Sequence, residues 1–400
     1  MDYRSRLMLT VALALSITAL VGLAGINFYL EPPADDLDER WSVDGGTDYP
    51  DNHHRMAVVE GTDPLVIIPI NGLTGTDQCS LLALDAAGEI AWRVPFAPDS
   101  CSPHGIGDVS IVQRTGSTAP TATVATEARL VIGVDVESGE DRTLGSIDAM
   151  GYSAPRYLAG VGLIVADFEG TVTAFDDSVA WTATVPNFVW AEPIVVTTDA
   201  GEAITVVGAG PSGGAIVQFD DTGVERWNTS IDAPATSWTF APEPTDRLVV
   251  ASRDRTISAV DAHSGESLWT TPIDVPDGNI GTIDGDHVIV STGQGTVIAI
   301  NHHDGSIGWT TAIADPDVRL QPAVAGDVTG NGVDELVVVG SDGSITVLDS
   351  DGTIRAQQVV DARFNAPPVI MHEPGGEQSI IVVLSGDGRI MAFEDPASNE

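Results

Sequence analysis

AVDAHSGESLW, residues Ala259–Trp269, is the phrase on which the fold of this chain turns. An apolar stretch ends in Asp, a Gly-bearing turn follows, and a second stretch opens on Trp. The phrase recurs as ALDAAGEIAW at Ala83–Trp92, AFDDSVAW at Ala174–Trp181, QFDDTGVERW at Gln218–Trp227 and AINHHDGSIGW at Ala299–Trp309. Two copies lack the Trp, GVDVESGEDRT at Gly133–Thr143 and VLDSDGTIRA at Val347–Ala356, and the last, AFEDPASNE at Ala392–Glu400, stops short of that position. Trp181, Trp227, Trp269 and Trp309 follow one another at intervals of 46, 42 and 40 residues. A period of that size marks a repeat architecture, in which each unit needs its neighbours to bury a core.

Upstream of each phrase lies a further apolar strand, for example Leu248–Ser252, Val288–Ser291, Leu336–Gly340 or Ile380–Leu384, preceded by a short segment carrying Pro155, Pro193, Pro242, Pro322 or Pro367. Each unit therefore reads as four short strands joined by Gly/Asp turns, the layout of a propeller blade. The missing last strand has a counterpart near the other end of the chain. Glu39-Arg40-Trp41-Ser42-Val43 mirrors Glu225-Arg226-Trp227-Asn228-Thr229. Supplied to the last blade, it would close the ring through hydrogen bonds and leave no free sheet edge. The expected fold is an all-β, eight-bladed β-propeller over residues 39–400. Trp41, Trp92, Trp181, Trp227, Trp269 and Trp309 are expected to wedge between blades.

The phrase A-x-D-x-x-x-G-x-x-x-W resembles the tryptophan-docking motif of the pyrroloquinoline quinone (PQQ)-type propellers, and the resemblance runs from Glu39 to the C-terminus. That family includes quinoprotein alcohol dehydrogenases and non-enzymatic members similar to the outer-membrane assembly factor BamB, so fold alone does not decide function. The dehydrogenases hold the quinone beside a disulfide between adjacent cysteines, with a calcium ion and an Asp base. Here the only cysteines, Cys79 and Cys101, are not adjacent, and no residues match the calcium ligands or the base one by one. The expectation is accordingly no enzyme and no PQQ.

The chain carries 58 acidic residues against 17 basic ones, a net charge of −41, and every basic residue is Arg. The acids are spread through all segments. A uniform acidic coat suits a hydrated surface in concentrated salt and resembles haloarchaeal proteins; at molar salt the Debye length is only about 3 Å, which screens the self-repulsion. Binding nucleic acid through a basic face is excluded.

Leu7–Leu30 is free of charge and apolar, and as a helix would span about 36 Å. Arg4 and Arg6 precede it and acidic residues follow. By the positive-inside rule this reads as a signal anchor with the remainder outside the cell. The expected organisation is a cytoplasmic tail over 1–6, a transmembrane helix over 7–30, an acidic linker over 31–38 and then the propeller, giving a single-pass cell-membrane protein. The alternative is cleavage after Ala24, although a secretory signal has a shorter apolar run.

Four local features stand out. Cys79 and Cys101 flank the third and fourth strands of the first blade and are expected to pair, as cysteines of an exported chain do. The run Asp327–Leu336 resembles the calcium loop of FG-GAP repeats: Asp327, Thr329 and Asn331 alternate, Gly332 permits the bend, the Val333 carbonyl adds an oxygen and Glu335 closes the set. The pairs His53-His54 and His302-His303 lack metal-site spacing and read as loop residues. Residues near the strand-initiating prolines should ring the channel mouth. Among them Arg156, Arg319 and Arg363, with Trp190 and Trp238, are expected to form a shallow site for an anionic group of a ligand or of a protein partner at the cell surface.

The leading functional expectation is a non-catalytic scaffold for binding or assembly. A PQQ-dependent dehydrogenase is the first alternative, and a calcium-stabilised adhesion module the second.

Overall fold

The computed structural model describes residues 36–113, 119–176, 178–198, 201–241, 246–275, 278–373 and 379–395. They form eight four-stranded antiparallel sheets. Seven are continuous in sequence, the first built from Ala57–Val59, Leu65–Ile70, Ser80–Asp85 and Ile90–Pro95. The eighth takes Val369–His372, Ser379–Leu384 and Arg389–Glu394 from one end of the chain and Asp38–Asp44 from the other. Trp41 stands opposite Ala392 and Val43 opposite Ile390 in that closing pair. Leu37, 4 % exposed, packs with Phe364 and Phe393, so core packing extends at least one residue ahead of the closing strand.

Each residue of the repeated phrase has a physical task. Its Ala lies directly across the ladder from the Trp, as in Ala83–Trp92, Ala174–Trp181, Ala259–Trp269 and Ala299–Trp309, and its small side chain leaves the indole free to reach out of its own sheet. The Asp caps the turn: Asp85 Oδ1 accepts from the backbone N–H groups of Ala87 and Glu89, and Asp220 Oδ1 from those of Thr222 and Val224. The Gly takes positive φ, +79° at Gly88 and +75° at Gly305, where a Cβ is disfavoured.

The indole of the preceding blade lies on that Gly. A Cβ on Gly88 would come within 2.7 Å of Trp41, and one on Gly305 within 2.6 Å of Trp269. The indole N–H then donates to a carbonyl of the same turn, Trp41 to Ala86 at 3.0 Å, Trp92 to Val136 at 2.8 Å, Trp181 to Asp221 at 2.9 Å, Trp269 to His302 at 3.1 Å and Trp309 to Ser350 at 3.0 Å. Trp227 stacks on Gly265 without such a bond among the described residues.

Where the Trp is missing, the receiving Gly is missing too. Blade 2 carries Thr143 in place of Trp, and the next turn, Asp176–Val179, has no Gly; Gly145 instead packs on Phe175. Blade 7 carries Ala356, and its neighbour Arg355 ion-pairs with the buried Asp395 of blade 8 at 3.0 Å.

The expected membrane anchor requires a correction. Among the described residues no helix is long and apolar enough to cross a membrane, and the sole helical element is the 3-10 turn Pro98–Ser100. The run 7–30 lies outside the described residues. The single-pass membrane location is therefore dropped from the reading that follows.

Candidate functional site

The innermost strands of the blades, among them Arg156–Leu158, Ala235–Ala241 and Asn279–Asp284, surround the axis. The segments entering them gather at one end. There a funnel of about 920 Å³ opens, joined through Tyr152, Trp190 and Arg319 to a side bay of about 420 Å³.

The expected three-arginine site is not assembled. Arg156 lines the funnel, but its Nη2 lies 2.5 Å from Glu192 Oε1 of the next blade. Arg363 is exposed and is not among the residues lining the funnel; its carbonyl accepts from the Gly386 N–H. Arg319 does face the funnel, with its backbone N–H held by Ser341 Oγ at 3.0 Å and no ion pair among the described residues. Arg55 and Arg253, unremarkable in the sequence, also line the walls. Trp190 is half-buried and borders both compartments. Trp238 is only 8 % exposed, and its indole N–H donates to the Glu192 carbonyl at 3.4 Å, so it serves as wall rather than as a free stacking platform.

Three histidines meet at the funnel wall. His53 and His54 sit in the segment leading from the closing strand into blade 1, and His104 in the segment leading into blade 2. One ring nitrogen from each lies within 4.8 Å of the others. Reading His53-His54 as simple loop residues thus missed a convergence across two blades. The pair His302-His303 does approach Asp286, but His303 Nε2 is hydrogen-bonded to Asp286 at 3.2 Å, and the Arg247 guanidinium donates to both histidine carbonyls.

Burial, and then the charge of neighbouring histidines (His54 on His53, and His53 and His54 on His104), hold His53 and His104 below the usual imidazole range. Burial also raises the Tyr152 phenol. Burial opposes ionisation of Asp108, but bonding and charge from His54 and Arg55 overcome it and hold that carboxyl low.

Cys79 and Cys101 are joined, with Cα atoms 5.4 Å apart. Both sulfurs lie in the core between blades 1 and 2, among Leu81, Phe96 and Ile106, not at the funnel. The bond therefore cannot present a disulfide face to a quinone in the channel.

The Asp327–Leu336 loop joins the first two strands of blade 7, at the other end of the strands from the histidines. Its polar groups do converge. Glu335, 2 % exposed, accepts from Thr329 Oγ1 at 3.0 Å and from the Val328 N–H at 2.9 Å, and burial pushes its carboxyl up. Asp327 accepts from the N–H groups of Asn331 and Gly332, and Asn331 Oδ1 from that of Val333.

Comparison with known proteins places this geometry. The family model described as outer membrane protein assembly factor BamB matches residues 77–241 and 212–400. The chain belongs to that family. Among solved structures, BamB from Moraxella catarrhalis is similar at 19 % identity with a TM-score of 0.60, covering 90 % of this chain and 100 % of its own. Quinohemoprotein alcohol dehydrogenase from Comamonas testosteroni is similar at 12 % identity and a TM-score of 0.68, covering 90 % of this chain and 76 % of its own. Saccharomyces cerevisiae Sqt1 gives 12 % identity and 0.67, covering 91 % and 100 %. At such identities these likenesses show the fold alone. No curated protein sequence matches the chain.

Proposed function

We propose that this BamB-family propeller is a non-catalytic scaffold that holds a partner protein over the funnel. The observation carrying the proposal is the funnel's lining. Arg55 and Arg319 line it, beside Asp108 and the Arg156–Glu192 pair, and Arg253 lines the adjoining bay. Arg55, Arg253 and Arg319 have no ion pair among the described residues, in a chain of net charge −41. Low-dielectric walls focus such a local positive field, and Trp190 beside it supplies flat apolar surface of the kind enriched at binding hot spots. A partner segment presenting carboxylates beside an apolar side chain fits this lining.

The second reading, a quinone-dependent dehydrogenase, draws on the similarity to the alcohol dehydrogenase fold. The buried position of the Cys79–Cys101 bond disfavours it. Full chain supplied with PQQ and calcium is expected to reduce no artificial electron acceptor on alcohols or sugars. Turnover that depends on added PQQ would replace the scaffold reading. In a pull-down, Arg319→Gln should weaken partner capture at unchanged melting temperature, and adding Trp190→Ala should abolish it in a chain that circular dichroism shows to be folded.

A further inference from the structure

The observations reach furthest at the three histidines on the funnel wall. His54 is 1 % exposed, and its Nδ1 lies 3.0 Å from Asp108 Oδ1. An ionised carboxylate only accepts, so Nδ1 carries a proton, and in the neutral ring Nε2 carries the lone pair. That Nε2 is buried and has no hydrogen-bond partner among the described residues. A buried imidazole nitrogen with no partner has lost its hydration without compensation. His53 is arranged in the same sense. Its Nδ1 lies 2.7 Å from the Asp51 carbonyl, which again fixes the proton there, and its Nε2 accepts from the Tyr152 hydroxyl at 3.0 Å. His104 Nδ1 is a second buried nitrogen without a partner. Each of the first two rings thus donates from one nitrogen to an oxygen, as metal-ligating histidines do, and one ring nitrogen of each of the three histidines lies within 4.8 Å of the others.

The two segments that carry these rings are tied together. Asn52, next to His53, accepts the Asn71 N–H at 2.8 Å. The Asn71 side chain both donates to the Ile106 carbonyl at 3.0 Å and accepts its N–H at 2.9 Å, two residues from His104. Asn52 and Asn71 are fully buried. The Cys79–Cys101 bond anchors the same segment three residues before His104. Gly105 is needed there, because a Cβ would approach the Ser100 carbonyl oxygen to 2.7 Å. Such a braced frame holds ligand positions rather than leaving them to mobile loops.

We infer that His53, His54 and His104 form a binding site for a first-row divalent transition metal of the zinc class, with Asp108 as the positioning residue behind His54. Imidazole nitrogens suit zinc, nickel, copper and cobalt rather than calcium or magnesium. Zinc–nitrogen bonds of about 2.0–2.1 Å put ligand nitrogens about 3.3 Å apart in a tetrahedron. From a separation of at most 4.8 Å, each nitrogen moves by less than about 1 Å to close on the ion. The Tyr152–His53 hydrogen bond is the one contact that closure displaces. Three protein ligands leave a coordination position open. Since His53 and His104 both border the funnel system, that position is within reach of water or an anionic group there.

The test uses the untagged full chain, stripped with a chelator, in concentrated salt that screens unspecific cation binding to the acidic surface. Zinc is titrated by calorimetry and cobalt by visible absorption. The expected result is one tight ion per chain and a cobalt spectrum of nitrogen ligation at low coordination number. His53→Ala, His54→Ala and His104→Ala should each weaken zinc binding at least 100-fold. Asp108→Asn should weaken it about 10–100-fold, the usual effect of losing a partner behind a ligand. His302→Ala/His303→Ala should leave it unchanged. Circular dichroism checks each fold, and if the buried His54 variant does not fold, the half-buried His104→Gln carries the comparison. Absence of a tight site, or a site indifferent to the cluster substitutions, or one lost with His302 and His303, overturns the inference.

Discussion

Replacing Gly305 by Ala probes the docking contact that repeats around the ring. Gly305 has φ +75°, and an added Cβ would lie 2.6 Å from the Trp269 ring and 2.6 Å from Thr271 Oγ1. Gly285 is the control, with φ +54° and nothing within 4 Å of a Cβ. Left-handed backbone costs a non-glycine residue about 1–2 kcal/mol, and both variants incur it. Only Gly305→Ala must also lift the indole. Re-exposing roughly 100 Å² of a Trp that offers about 150–250 Å² costs about 2.5 kcal/mol, and the lost bond from Trp269 to the His302 carbonyl adds about 1 kcal/mol. Gly305→Ala should therefore destabilise by about 4.5–5.5 kcal/mol and Gly285→Ala by about 1–2. Urea unfolding at fixed salt measures both. In a Trp269→Ala background the Gly305 substitution should keep the backbone cost and the Thr271 contact but lose the indole contribution, a coupling of about 3.5 kcal/mol in the cycle. Equal losses at the two glycines, or no coupling, would refute the docking account.

Removing residues through Val43 should prevent cooperative folding, because it takes away the fourth strand of blade 8, whereas removal through Pro33 should leave the melting temperature unchanged. Cys79→Ala/Cys101→Ala, which opens a 22-residue separation, should lower stability by about 3 kcal/mol in denaturant unfolding; a loss below 1 kcal/mol would contradict a constraint on the unfolded chain. Dilution into low salt should lower the melting temperature, since screening of the −41 charge is lost. Millimolar calcium should recover part of that loss through Asp327, Thr329, Asn331 and Glu335. Asp327→Ala should abolish the recovery, and calcium-independent melting would rule the loop out as a calcium site.

The blades were legible in the sequence because each residue of the phrase acts locally or on its immediate neighbour. Asp85 caps its own turn, Ala83 faces Trp92 across one ladder, and Gly88 meets the Trp of the adjoining blade. Even the copies without Trp carry a local sign, the missing Gly of the next turn. Closure by Asp38–Asp44 was legible for the same reason, as a fragment of the phrase displaced to the other end. The funnel was not. Whether Arg156 is free or tied to a carboxylate such as Glu192 does not follow from the sequence, because Glu192 belongs to the next blade. Trp238 looked exposed because nothing in its own strand signals that the Glu192 carbonyl takes its N–H. His104 lies about fifty residues from His53, and only the ring geometry brings the segments entering blades 1 and 2 together. The unusual density of ring side chains near that junction, His53, His54, His104 and Tyr152, was the available signal, but spacing rules built for single loops do not detect it.

The central claim is that a partner protein sits over the funnel. Photo-crosslinking residues placed one at a time at Thr239 and Thr282 in the funnel, and at Thr182 on an outer strand, test it in cells that express the full chain. The account predicts one discrete protein adduct from the funnel positions, lost on adding Arg319→Gln and Trp190→Ala, and none from Thr182. Adducts from Thr182 alone, or funnel adducts indifferent to those substitutions, would contradict it.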